Sequence, residues 1–283
     1  MLFILLSVLL FSYNNVLWKK NLTSISIPFL VSYRSFFTSS VSLLILFIFF
    51  DFEAISHITF MKITAGSIFG VIGLFSMLSV IRKVSLQWLG VYNLIGVTFT
   101  VLYLWLFETI EIQKSLLGLF VIVLGFISYM HANKETHLKI TIKHHLLLLL
   151  MTFSFSCSAI LHWKNLTANV PPLLIIANQE FLVFLVGVFL TFKKGSGTLY
   201  KSQLKSYFSR VVLMSLVIFT AILLNFLGLK QTSPIITSLL FLAIPLTTIV
   251  FGALFFKEKI SFKNVLSISI IVMGAFILHY QST

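Results

Sequence analysis

Lys20-Asn21-Leu22-Thr23 closes the first apolar run of the chain, and Lys164-Asn165-Leu166-Thr167, 144 residues further on, closes the sixth. The same offset relates Pro28 to Pro172, each of which opens the next apolar run. A second echo follows later in each half. Leu106-Phe107-Glu108-Thr109-Ile110 leads into an apolar run ending at Gly125, and Phe256-Lys257-Glu258-Lys259-Ile260 leads into one ending at Gly274, one residue shorter. Two matched stretches in the same order predict a duplicated chain.

The 283 residues are 59% hydrophobic and only 10% charged, with a mean hydropathy of +1.07. Soluble domains carry about 25% charged residues, because they need a polar coat that a bilayer does not demand. The composition therefore predicts a membrane protein. Transmembrane β-strands alternate apolar and polar residues, whereas the runs 41–50 and 239–244 are apolar without alternation, so the spans are expected to be helical. The net charge of +13 does not indicate nucleic acid, because the basic residues are scattered at the ends of apolar runs as membrane-flanking anchors. A single cysteine, Cys157, excludes an internal disulfide. Residues 1–18 lack a basic segment ahead of the apolar run and a small-residue cleavage site after it, so they read as a retained first helix.

A span needs roughly 20 mostly apolar residues. Ten candidates satisfy this: 2–18, 28–50, 63–81, 86–107 and 116–130 in the first half, then 146–163, 172–192, 211–229, 234–256 and 265–280 in the second. Five is odd, so the second copy must enter the membrane from the opposite side. The expected architecture is all-α, with ten transmembrane helices arranged as two five-helix inverted repeats. The repeats occupy residues 1–133 and 144–283, with a linker at 134–143, and a basic loop containing Gly195-Ser196-Gly197 is expected at 193–210. Pro245 lies deep in the ninth span, where it would serve as a gate hinge or simply bend a packing helix.

The ten-span layout, the fourth helices ending in Phe107-Glu108 and Lys257-Glu258, the glycine-containing fifth helices and the stretch Gly228-Leu229-Lys230-Gln231-Thr232-Ser233-Pro234 together resemble the drug/metabolite transporter superfamily, EamA type. The resemblance covers nearly the whole chain. It implies a carrier with a central pocket worked by alternating access, and it leans towards export. The first half departs from the pattern, with Ile95 near the place that matches Pro245, so the two gates are not expected to move alike.

Charges inside the spans are the most informative residues, since one at a helix centre costs at least about 2.5–3.5 kcal/mol. Among seven acids only Glu180 lies well inside a span, and among twenty bases only Arg34 does. Each has a bland alternative: snorkelling for Arg34, and a structural hydrogen bond to Asn178, Gln179 or a neighbouring helix for Glu180. Counted along their helices from opposite membrane faces, the two end on the order of 9 Å apart, a gap that a zwitterionic solute would bridge. A second version has Glu180 carrying a coupling proton. Uncharged polar groups complete the candidate site: Asn14 and Asn15, with Tyr13 beside them, Tyr92 and Asn93, Cys157, and Asn225. Singly, each is more simply read as a hydrogen bond between helices. Trp18, Trp88, Trp105 and Trp163 fall near span ends and suggest an interfacial belt. His131, His137, His144 and His145 read as a solvated linker without metal-ligand spacing. The two Asn-x-Thr matches, at Asn21 and Asn165, read as repeated helix ends and not as glycosylation sites.

These features point to a secondary active transporter, an exporter of a small polar or amphipathic metabolite such as an amino acid. It would reside in the lipid bilayer of a bacterial inner membrane. The expected partners are the metabolite and a coupling proton, with no nucleic acid, cofactor or metal. The spans hold no carboxylate pair, metal-binding helix or phosphate loop, so an enzyme is not expected. The rivals are a multidrug or organic-cation exporter of the same fold and a non-transport assembly or signalling protein. The odd-numbered connections carry 15 lysines and arginines and the even-numbered ones 4. This bias places both termini outside, against the family precedent of termini inside.

Overall fold

In lipid every backbone N–H and C=O must be satisfied within its own segment, and this chain meets the demand with helices. The computed structural model describes residues 2–22, 26–49, 56–108, 116–132, 140–193, 200–231 and 243–282, which contain ten helices and no strand. In chain order they are α1 (Leu2–Asn21), α2 (Ile27–Phe49), α3 (His57–Ile81), α4 (Leu86–Glu108), α5 (Leu116–Ala132), α6 (Ile142–Thr167), α7 (Pro172–Lys193), α8 (Tyr200–Lys230), α9 (Ala243–Phe256) and α10 (Phe262–Ser282). Six are long and apolar enough to cross a membrane by length and composition: α1, α2, α3, α6, α7 and the Lys205–Lys230 part of α8. Shorter apolar stretches occupy α5, α9 and α10. Large apolar side chains such as Phe47, Phe107, Phe189 and Phe276 stand exposed, an outward surface suited to acyl chains.

Several helices outrun their apolar cores. α3 starts at His57, six residues before the expected span, with the Ser56 hydroxyl accepting from the Thr59 amide as its cap. α8 starts at Tyr200, so most of the stretch read as a loop continues the helix as a polar first turn and more. Polar residues are no obstacle to helix outside the hydrocarbon, and an apolar criterion stops short of them. α6 begins at Ile142, two residues inside the expected linker. Pro245 is the third residue of the described part of α9; residues 232–242 before it, including Pro234, lie outside the described residues.

The most extensive packing joins α2 to α7, α3 to α6 and α5 to α10; α1 meets α8 and α9, α4 meets α6 and α9, and smaller contacts join α3 to α7 and α2 to α8. This scheme is unchanged when each helix is exchanged with the one five places away. The α5–α10 contact shows the exchange in detail. A Cβ placed on Gly125 would lie 2.9 Å from the Ile271 backbone nitrogen, and one placed on Gly274 would lie 2.7 Å from that of Ile122. Ser128 and Ser267 hydroxyls bond at 2.9 Å along the same antiparallel seam. Small residues let two backbones approach this closely.

Candidate functional site

Side chains at i, i+3, i+4 and i+7 share one helix face. On α1 that face carries Phe11, Asn14, Asn15 and Trp18, and on α6 it carries Phe155, Ser158, Ala159 and His162, each the residue 144 places later. Both faces line one central cavity of about 260 Å³. Leu74 and Met77 of α3, Asn93 and Thr100 of α4, and Ile222, Asn225 and Phe226 of α8 complete much of the wall. α2 and α7 contribute Arg34, Gln179 and Glu180.

Arg34 and Glu180 meet directly. The Arg34 Nη2 donates to Glu180 Oε2 at 2.6 Å and to the Ser35 hydroxyl at 2.8 Å, and the two side chains are 1% and 2% exposed. This replaces the separation expected from counting along the helices. α2 and α7 run antiparallel in a register fixed by the Ser39 hydroxyl donating to the Ala177 carbonyl and by Ser32 lying against Gly187. In that register Pro28 and Pro172 are about 17 residues apart, roughly 25 Å at 1.5 Å per residue, less than the full hydrocarbon thickness assumed in the count. The long arginine stem covers the remainder. The Trp18 ring lies 5.5 Å from the guanidinium carbon in a cation–π contact.

Of the sequence candidates, Asn14, Asn15, Arg34, Asn93, Glu180 and Asn225 border one space. Tyr92 does not. One residue before Asn93 it points some 100° around α4, and its hydroxyl bonds His145 Nδ1 at 2.6 Å within a cluster with Trp88 and Phe126. His145 is thus half-buried at the start of α6, not part of a solvated linker. The side chain of Pro245 lies outside the described residues, while its neighbour Ile244 borders the cavity. His137 is also outside the described residues. Among the described residues, no three His, Cys, Asp or Glu side chains converge as a metal site.

The interfacial reading of tryptophan fails at Trp18, fully buried in the cavity wall, and at Trp88, packed edge-on against Tyr129. A further cavity residue, His162, had no role in the sequence reading. His162 Nε2 donates to Gln179 Oε1 at 3.1 Å, its ring stands edge-on to Phe226, and it fills the space beside Gly66. The signal for it was present, since His162 stands 144 residues after Trp18. Asn21 and Asn165 are both buried, which leaves neither accessible to a glycan.

A second constellation lies at the end of α1. α9 stops at Phe256, and Lys257, with φ of 54° in the left-handed region, turns the chain back. This brings the Glu258 carboxylate to Lys19 Nζ at 2.7 Å and to the backbone amides of Leu86 and Gln87 at 3.0 and 3.4 Å. Glu258 thus caps the N-terminus of α4, where orphan N–H groups and the helix dipole favour a negative charge. Gln87 in turn donates to the Lys259 carbonyl and accepts from Asn264.

A bundle of apolar helices around one central cavity that carries buried polar side chains is an arrangement suited to a membrane carrier, and comparison with known proteins points the same way. Residues 142–280, α6 to α10, match the model of the EamA-like transporter family, part of the drug/metabolite transporter superfamily. This match over the second half, together with the apolar helices, supports an integral membrane protein, and the family suggests a membrane transporter. A solved structure titled only "Crystal structure of protein" superposes with a TM-score of 0.65 at 14% identity, covering 96% of this chain and 95% of that one, a likeness of fold alone. The chain matches no curated protein.

Proposed function

We propose that the chain is a secondary active transporter, an exporter of a small polar or amphipathic metabolite in a bacterial inner membrane, built from two inverted five-helix repeats spanning 1–133 and 144–283. The observation that carries this reading is the central cavity, walled by corresponding faces of α1 and α6 and crossed by a buried ion pair between α2 and α7. The exchange of helix partners and the antiparallel α2–α7 and α5–α10 contacts support a two-fold axis in the membrane plane, the arrangement that gives a carrier two matched gates. Arg34, Glu180, Asn14, Asn15, Asn93 and Asn225 are the residues assigned to binding or coupling. A multidrug or cation exporter is less well supported, because Glu180 already faces a guanidinium and is not free to attract a cation.

The test is flux in proteoliposomes. The purified protein should exchange at least one labelled small metabolite across the bilayer, whereas protein-free vesicles should not. In Glu180→Gln, loss of proton-driven flux with exchange retained assigns coupling to the carboxylate, and loss of both assigns it to the integrity of the cavity. A well-folded protein that moves no solute under either gradient would remove the transport reading.

A further inference from the structure

Unlike Gln179, four asparagine side chains in the cavity have no hydrogen-bond partner among the described residues. Asn14, Asn15 and Asn225 are 4%, 7% and 9% exposed, and Asn93 is half-buried. Asn14 Oδ1 and Asn225 Oδ1 are buried without a hydrogen-bond partner among the described residues. Buried amides nearly always find partners, because desolvation without a hydrogen bond is unfavourable. Two such oxygens, with the carboxamides of Asn15 and Asn93 bordering the same space, therefore mark a place where a ligand completes the network.

We propose, on the basis of the transport reading, that the solute is electrically neutral and planar, of the nucleobase class. It is held by these carboxamides, while the Arg34–Glu180 pair stays closed. The ion pair supplies the first part of the argument. Its two charges cancel within one 2.6 Å bond, and Ser35 and Trp18 hold the same guanidinium in place. A charged solute would enter a desolvated space offering no net counter-charge, and a zwitterion would have to split a buried bond and replace both halves of it.

Hydrogen-bond chemistry supplies the second part. A carboxamide presents an acceptor oxygen beside a donor NH₂, so its best match is an edge with a donor next to an acceptor, as in cyclic amides and amino-heterocycles. The walls supply the third. The half-buried rings of Phe11 and Phe155 border the space, and flat heterocycles stack on such surfaces. A space of about 260 Å³ suits one small ring system and lies below the usual range of roughly 300–1,000 Å³ for drug-sized ligands.

The test uses the full chain, purified in detergent and in nanodiscs, with adenine and uracil as probes against leucine, glucose and tetraethylammonium. A specific ligand raises the melting temperature in proportion to occupancy, and equilibrium dialysis gives the affinity. At least one heterocycle should bind saturably, with little change between 50 mM and 500 mM salt. Asn15→Ala, Asn93→Ala and Asn225→Ala, on three different helices, should each weaken binding at least tenfold while eluting as the parent does. Binding of leucine or tetraethylammonium but neither heterocycle overturns the proposal, as does preference for glucose, no heterocycle binding at millimolar concentration, or heterocycle binding indifferent to all three variants. The two readings fail separately. Leucine exchange in proteoliposomes without heterocycle binding leaves the transport reading standing and removes this one; heterocycle binding without flux of any solute does the reverse.

Discussion

Arg34–Glu180 and Lys19–Glu258 are both ion pairs between the halves of the chain, with closest approaches of 2.6 and 2.7 Å, yet their surroundings give them different work. The first is sealed at 1% and 2% exposure between α2 and α7, where the dielectric is low and neither charge has water to fall back on. The second is partly open at 18% and 12%, and its acid is shared with two backbone amides of α4. Distance alone would rank them equal. Burial makes one a fixture whose separate parts are intolerable, and the other a closure that can open at little cost.

That contrast is open to attack in four ways. The largest effect is expected at the sealed pair: Glu180→Gln strands the Arg34 charge and should lower unfolding stability by about 3–5 kcal/mol, measured by thermal or denaturant unfolding in detergent. Replacing both residues by methionine should recover most of that loss, and a double variant as unstable as the single one would contradict the argument. Next comes a junction without charge. Gly274→Ala places a methyl against the Ile122 nitrogen and the Gly118 carbonyl, a strain of about 1–3 kcal/mol that the same unfolding measurement should register. At the open pair, Glu258→Ala removes a helix cap as well as a charge and should cost about 0.5–2 kcal/mol. Smallest of all, Lys19→Met should cost no more than about 1 kcal/mol and should matter less in high salt, since water and ions already screen the pair. A lysine variant more damaging than the Glu180 variant would reverse the comparison.

The apolar runs were legible because lipid imposes a compositional demand on every span, but helix ends were not. α8 starts at Tyr200 and α3 at His57, with polar residues that satisfy helix geometry without satisfying a hydropathy criterion. Within the site, Asn14, Asn15, Arg34, Asn93, Glu180 and Asn225 stood out as polar groups in apolar surroundings. Their neighbour Tyr92 stood out equally, and only the direction of its side chain on α4 separates it from Asn93. Trp18 escaped because a tryptophan near a span end suits the interface as well as the interior. His162 could have been found by carrying the 144-residue offset from the repeated tetrad back along α1 and α6. The direct Arg34–Glu180 contact was beyond reach, since it depends on the register of two antiparallel helices, and register is written in contacts such as Ser32 with Gly187 that no single-helix pattern encodes.

The shared carboxylate of Glu258 also turns two protons into a clock. While it holds the Leu86 and Gln87 amides, their hydrogens are withheld from solvent; each time the end of α9 draws away from α4 they are released to exchange with deuterium. Their exchange rates, read by mass spectrometry on a peptide spanning the start of α4, would count openings of this face of the molecule without any label or known substrate.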